Sequence, residues 1–124
     1  MGNPFVHVEL QTPDLARAKA FYSSLFDWKL TDVPMPGADM VYTMVEVGAG
    51  TGGGMVTPPG GSAPAQWQAY VSVDDIETYT ARAQELGATV LEPPTRIGEY
   101  GWMSVIRDPT GATLALWQAR PGLE

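Results

Sequence analysis

The 124-residue chain contains no cysteine. That excludes disulfides, thiolate metal sites and thiol nucleophiles. Histidine occurs once, at His7, so any imidazole chemistry rests on a single residue. Basic residues are few and scattered: seven Lys and Arg stand against fourteen Asp and Glu, for a formal net charge of −7. Such a surface repels phosphate backbones and anionic lipid, so neither nucleic acid nor membrane is an expected partner. No apolar run approaches the roughly 18 residues that span a bilayer. The opening residues lack the basic region and apolar core of a secretory signal, so a cytoplasmic location is expected. There is no G-x-S-x-G elbow. The glycine-rich run from Gly50 to Gly54 lacks the Lys-Ser/Thr of a phosphate loop and leads into a strand rather than a helix.

What remains is an ordinary globular composition, 44% hydrophobic and 17% charged. A chain of this size buries roughly two thirds of its unfolded surface, enough for a sizeable core. Its organisation is repetitive. An offset of 61 residues aligns the two halves without a gap, setting His7-Val8-Glu9-Leu10 on Gln68-Ala69-Tyr70-Val71 and Asp14-Leu15 on Asp75-Ile76. The match runs on through Gly50 on Gly111 and Met55-Val56 on Leu116-Trp117.

Each half reads as strand, helix and three strands. The first strand, Phe5–Gln11, alternates Val6, Val8 and Leu10 with His7, Glu9 and Gln11, which places the polar three on one face. Thr12 is the expected N-cap and Pro13 the first helical residue. Leu15, Ala18, Phe21, Tyr22, Leu25 and Phe26 recur at helical spacing as the expected buried stripe. Strands are expected over 28–33, 40–47 and 53–57. In the second half, a strand over 67–73 precedes a helix capped by Asp74 or Asp75 and closed by Gly87. That helix carries Ile76, Tyr79, Ala83 and Leu86. Pro93 and Pro94 confine the next strand to an edge or end it. Asp108-Pro109-Thr110-Gly111 is a turn joining strands over 102–107 and 113–118. The resulting layout is a first module over 4–57, a linker over 58–65 rich in Pro and Gly, and a second module over 66–119. Segments 34–39 and 93–100 are candidate lids.

Several motifs in this order carry a resemblance: the helix Asp14-Leu15-Ala16-Arg17-Ala18-Lys19-Ala20-Phe21-Tyr22, the ending Phe26-Asp27-Trp28, and Asp108-Pro109-Thr110-Gly111. Within a repeated βαβββ pattern they make the chain resemble the vicinal-oxygen-chelate superfamily of glyoxalases, bleomycin-resistance proteins and extradiol dioxygenases. Glu9-Leu10, Gly53-Gly54-Met55 and Tyr70 resemble a glyoxalase-like subgroup. The resemblance implies an α+β fold in which two tandem βαβββ modules form a curved, eight-stranded mixed sheet around a cleft. It also implies a homodimer.

Metal-dependent members of that superfamily place one ligand on each of four strands. Carried over by motif, those positions are His7, Gly54, Gln68 and Ala115. Alanine has no donor, and the glycine carbonyl is committed to the sheet. A catalytic divalent ion normally takes about three protein ligands, so no metal cofactor is expected. The expected site is a small-molecule cleft lined by His7, Glu9, Gln68, Tyr70 and Trp117. Tyr70 and Trp117 would offer an aromatic wall to a flat ligand. The expected function is metal-independent small-molecule binding. The alternative is a lyase or isomerase of glyoxalase type, with Glu9 and His7 as acid–base groups or weak metal ligands.

Overall fold

A computed structural model describes residues 2–34, 41–58 and 64–121. The elements run β1 (Phe5–Gln11), α1 (Leu15–Leu25), β2 (Lys29–Pro34), β3 (Val41–Glu46), β4 (Gly53–Val56), β5 (Gln66–Ser72), α2 (Ile76–Glu85), β6 (Thr89–Ile97), β7 (Gly101–Arg107) and β8 (Thr113–Ala119). The expected strand–helix–three-strand plan is therefore present twice, as an eight-stranded mixed sheet with two helices. The chain divides into two compact units. One is His7–Gln68; the other joins Met1–Val6 to Ala69–Glu124.

In the His7–Gln68 unit the strand order is β2-β3-β4-β1. β1 pairs parallel with β4, from Val8 opposite Gly53 to Gln11 opposite Val56, and β3 runs antiparallel to both β4 and β2. Alternation puts Leu10, Val45 and Met55 on the helix side, where they pack against Leu15, Ala18, Tyr22, Trp28 and Leu30. Met55 is wholly buried.

Helix α1 begins two residues later than Thr12 suggested. The Thr12 N–H bonds to the Val56 carbonyl at 3.0 Å and so prolongs the sheet ladder. Asp14 is the N-cap instead, its side chain accepting from the Arg17 N–H at 3.1 Å. The buried stripe is also narrower than the periodicity implied. Leu15, Ala18 and Tyr22 pack inward along a single line, whereas Phe21, Leu25 and Phe26 are 58%, 58% and 45% exposed. A helix lying on one sheet face covers only the residues on its contact line.

In the second unit the order is β5-β8-β7-β6, with β5 parallel to β8 and the rest antiparallel. Val73, Ile76 and Leu116 form its core, flanked by Val71, Trp102 and Leu114. Asp75 caps α2 by accepting from the Thr78 N–H. Gly87 closes the helix at φ 107°, with the Ala88 N–H bonded back to the Ala83 carbonyl. Inside that helix Ile76 and Thr80 are the buried residues; Tyr79 and Leu86 are exposed and Ala83 is half-buried. β6 lies at the edge and its pairing slips twice, between Val90 and Glu92 and between Glu92 and Thr95. The 93–97 part of the candidate lid therefore belongs to a strand. Residues 35–39 of the other candidate lid, and 59–63 of the linker, lie outside the described residues. The Asp108 carboxylate accepts from the Thr110 N–H, the Thr110 hydroxyl and the Ala112 N–H, which closes the turn before β8. Among the described residues no helix is long and apolar enough to cross a membrane.

Candidate functional site

The polar face of β1 is met by a residue from β3. Glu9 lies opposite Gly54 of β4, and Gly54 lies opposite Met44 of β3. Because position 54 has no side chain, Tyr42 reaches across it. A Cβ built on Gly54 would stand 2.1 Å from the Tyr42 hydroxyl oxygen. That hydroxyl donates to Glu9 Oε1 at 2.9 Å and lies 2.6 Å from His7 Nε2. The His7 and Tyr42 rings are nearly parallel, with centroids 6.1 Å apart. Gln11 donates to Glu9 Oε2 at 2.9 Å, and Gln66 donates to Gln11 Oε1 at 3.1 Å. The result is a continuous chain, His7–Tyr42–Glu9–Gln11–Gln66.

The electrostatics follow from burial. Glu9 is only 8% exposed, and a carboxylate so placed requires donors; Tyr42 and Gln11 supply one to each oxygen. Burial lowers the His7 pKa below its ordinary value because imidazolium loses hydration, and the nearby Glu9 charge opposes that only in part. A neutral imidazole, a phenol and a carboxylate can hold or move a proton along hydrogen bonds already formed. They can also bind a polar ligand group.

The remaining candidate residues divide between the units. Gln68 of β5 is buried in the unit that holds His7 and Glu9. Tyr70, Ala115 and Trp117 belong to the other. Tyr70 pairs with Ala115 across the parallel β5–β8 ladder, and Trp117 follows two positions along β8, so these three share a face. Tyr70 is buried and Trp117 half-buried. Tyr42, Gln11 and Gln66 are site residues not singled out from the sequence. The available signal was the glycine at position 54, since a side chain missing from one strand invites a large residue from its neighbour.

Two hollows open in the His7–Gln68 unit. The larger, about 470 Å³, is lined by Asp27, Lys29, Glu46 and the 48–50 loop. The smaller, about 260 Å³, lies among Val8, Trp28, Thr51 and Trp67. Neither includes His7, Glu9 or Tyr42, and neither brings together titratable groups in hydrogen-bond contact. The His7–Tyr42–Glu9 network lies apart from both.

The four carried-over ligand positions do not fit a metal site. Gly54 supplies no side chain, and Tyr42 fills the volume one would need. Ala115 is fully buried and has no donor. The Nε2 atom of His7 is in hydrogen-bond contact with Tyr42. His7 and Gln68 alone fall short of the ligand number a divalent ion requires.

Two βαβββ modules, with polar strand-one residues beside a short fourth strand, are the plan of a glyoxalase-like class of protein. The chain belongs to the Glyoxalase/Bleomycin resistance protein/Dioxygenase superfamily, whose family model matches residues 5–116. It is 42% identical over 115 residues to "Putative glyoxylase CFP32" of Mycobacterium tuberculosis, covering 90% of this chain and 44% of the relative. It is 33% identical over 123 residues to "Anthracycline biosynthesis protein DnrV" of Streptomyces peucetius, covering 89% of this chain and 45% of the relative. The chain thus spans about half the length of the curated relatives it matches. A solved structure of a hypothetical protein, BH1468 of Bacillus halodurans, shares the fold, with a TM-score of 0.74 at 15% identity, covering 100% of this chain and 99% of that one.

Proposed function

We propose that the protein binds a small molecule without a metal ion, and that His7, Glu9 and Gln68 of one unit and Tyr70 and Trp117 of the other are its ligand-contacting residues. One observation carries this reading: the Tyr42 hydroxyl joins His7 to Glu9 above a glycine, where a metal-dependent relative would place a donor. Tyr70 and Trp117 on one face suit a flat, partly aromatic ligand. Two relatives bear names from anthracycline biosynthesis. The protein acts in the cytoplasm as a homodimer in this reading. The exposed Phe21, Leu25, Phe26 and Trp67 supply apolar area for a second copy, and the curated relatives, about twice as long, have room for a second such half.

The test is elemental analysis after incubation with nickel, zinc, manganese or iron(II) and gel filtration. Negligible metal is expected, alongside quenching of tryptophan fluorescence by a flat aromatic ligand that EDTA leaves unchanged. Near-stoichiometric metal that disappears in His7→Ala would overturn the reading.

A second reading is favoured by the same chain of hydrogen bonds and by the name of the mycobacterial relative. It is a lyase or isomerase acting on a substrate with a hydrogen next to a carbonyl, with Glu9 and His7 exchanging the proton. Turnover of such a substrate that falls at least about 100-fold in Glu9→Gln supports it. Turnover unchanged by Glu9→Gln removes it.

A further inference from the structure

We propose that Tyr42 is a positioning residue of this site, holding His7 with its proton on Nε2 and closing the site to a divalent ion. The inference rests on the reading of His7 and Glu9 as the ligand-binding centre. It starts from proton counting. A phenol has one proton, and Tyr42 directs it to Glu9 Oε1 at 2.9 Å. The contact between the Tyr42 oxygen and His7 Nε2, at 2.6 Å, must then be made by a proton on the imidazole. Both bonds then run one way, from His7 to Tyr42 and from Tyr42 to Glu9. The Gln11 amide donates to the second oxygen at 2.9 Å, so both Glu9 oxygens are acceptors in this network.

A proton on Nε2 means that this nitrogen has no lone pair for a metal. The same hydroxyl also excludes a side chain from position 54, where a Cβ would meet Tyr42 ring atoms at 2.2 Å. Tyr42 thus acts twice. It spends the histidine nitrogen on a hydrogen bond, and it fills the volume from which a second ligand would project. The polar face of β1 is left as a neutral imidazole, a phenol and a carboxylate whose orientations are mutually fixed.

Two experiments on the ligand-free protein test this, and neither depends on finding the ligand. The single histidine makes ring nitrogen-15 spectra unambiguous. At about pH 8, above the ordinary imidazole value near 6.5, the wild type is expected to show a slowly exchanging, downfield ring proton coupled to Nε2. In Tyr42→Phe that signal is expected to vanish into solvent exchange while the backbone spectrum keeps its dispersion. A ring proton on Nδ1 in the wild type, or a protected Nε2–H that persists in Tyr42→Phe, would overturn the proposal. Nickel(II) titration then tests the steric half. His7 ring signals should stay unchanged in wild type. They should broaden at substoichiometric nickel in the Tyr42→Ala/Gly54→Glu double variant, which offers His7, Glu9 and the new carboxylate. Nickel binding by the wild type, or none by the double variant, would show that Tyr42 is not what excludes the metal. Failure of a flat ligand to bind would leave both results standing and bear only on the proposed function.

Discussion

The two βαβββ modules solve one packing problem with different chemistry. Lys19 and Thr80 are equivalent at the 61-residue offset, and so are Thr43 and Ser104. In the second module Thr80 on α2 meets Ser104 on β7 directly, hydroxyl to hydroxyl at 2.9 Å. In the first, Asp32 stands between helix and sheet. It takes the Lys19 ammonium at 2.9 Å and the Thr43 hydroxyl at 2.8 Å, and those donors hold its carboxyl below the ordinary value. The residue equivalent to Asp32 is Pro93, which could not do this. On the opposite face the contrast recurs. Positions 7, 9, 42 and 54 carry His, Glu, Tyr and Gly, while 68, 70, 103 and 115 carry Gln, Tyr, Met and Ala. One module carries a histidine and a glutamate on this face, and the other carries glutamine and tyrosine at the same two positions. A repeated fold therefore constrains the core and the caps far more tightly than it constrains the site.

The sharpest test of that contrast starts in the core, where the modules should behave alike. Met55→Ala should cost about 2–5 kcal/mol by urea unfolding, and Leu116→Ala a value in the same range, because both lose a buried side chain the sheet cannot collapse onto. A first-module core insensitive to Met55→Ala would break the equivalence. Next comes the site, where they should differ. Making position 54 resemble 115, by Gly54→Ala, forces Tyr42 aside and should cost about 1–3 kcal/mol in overpacking. The protected Nε2–H of His7 should go with it. The caps should again be matched: Asp14→Ala and Asp75→Ala are each expected to lose about 1 kcal/mol, read by the same unfolding curves.

The smallest effect is the dependence on pH, and it belongs to one module alone. The folded-state pKa of His7 lies below its unfolded value. The unfolded chain therefore binds more protons in the interval between the two. Stability is full above the unfolded value, near 6.5, and declines as pH falls through the folded one. Stability curves of wild type and His7→Gln should diverge below about pH 6.5. Curves that stay parallel down to pH 5 would mean that His7 is charged at no cost where it sits.

Local rules made most of the fold legible. The acidic cap of α2, Gly87 and the Asp108–Gly111 turn all act within a few residues, so the sequence contains the whole interaction. Thr12 shows the limit: its N–H was claimed by Val56, 44 positions away in the chain. The exposed Phe21, Leu25 and Phe26 show another, because periodicity marks an apolar face without saying how much of it a neighbour covers. The site was half legible. His7 and Glu9 could be placed from alternation along β1, whereas Tyr42 could not, because its role depends on a register between β3 and β4 that no local signal sets.

The slipping edge strand has a consequence for the life of the protein in a crowded solution. A regular outer strand is a template on which a foreign strand can grow. Across Val90–Thr95 the spacing of β6 shifts twice, and Pro93 and Pro94 contribute no N–H to a ladder. A passing segment would find the rungs out of step and a donor missing, so that rim of the sheet resists being extended into an aggregate.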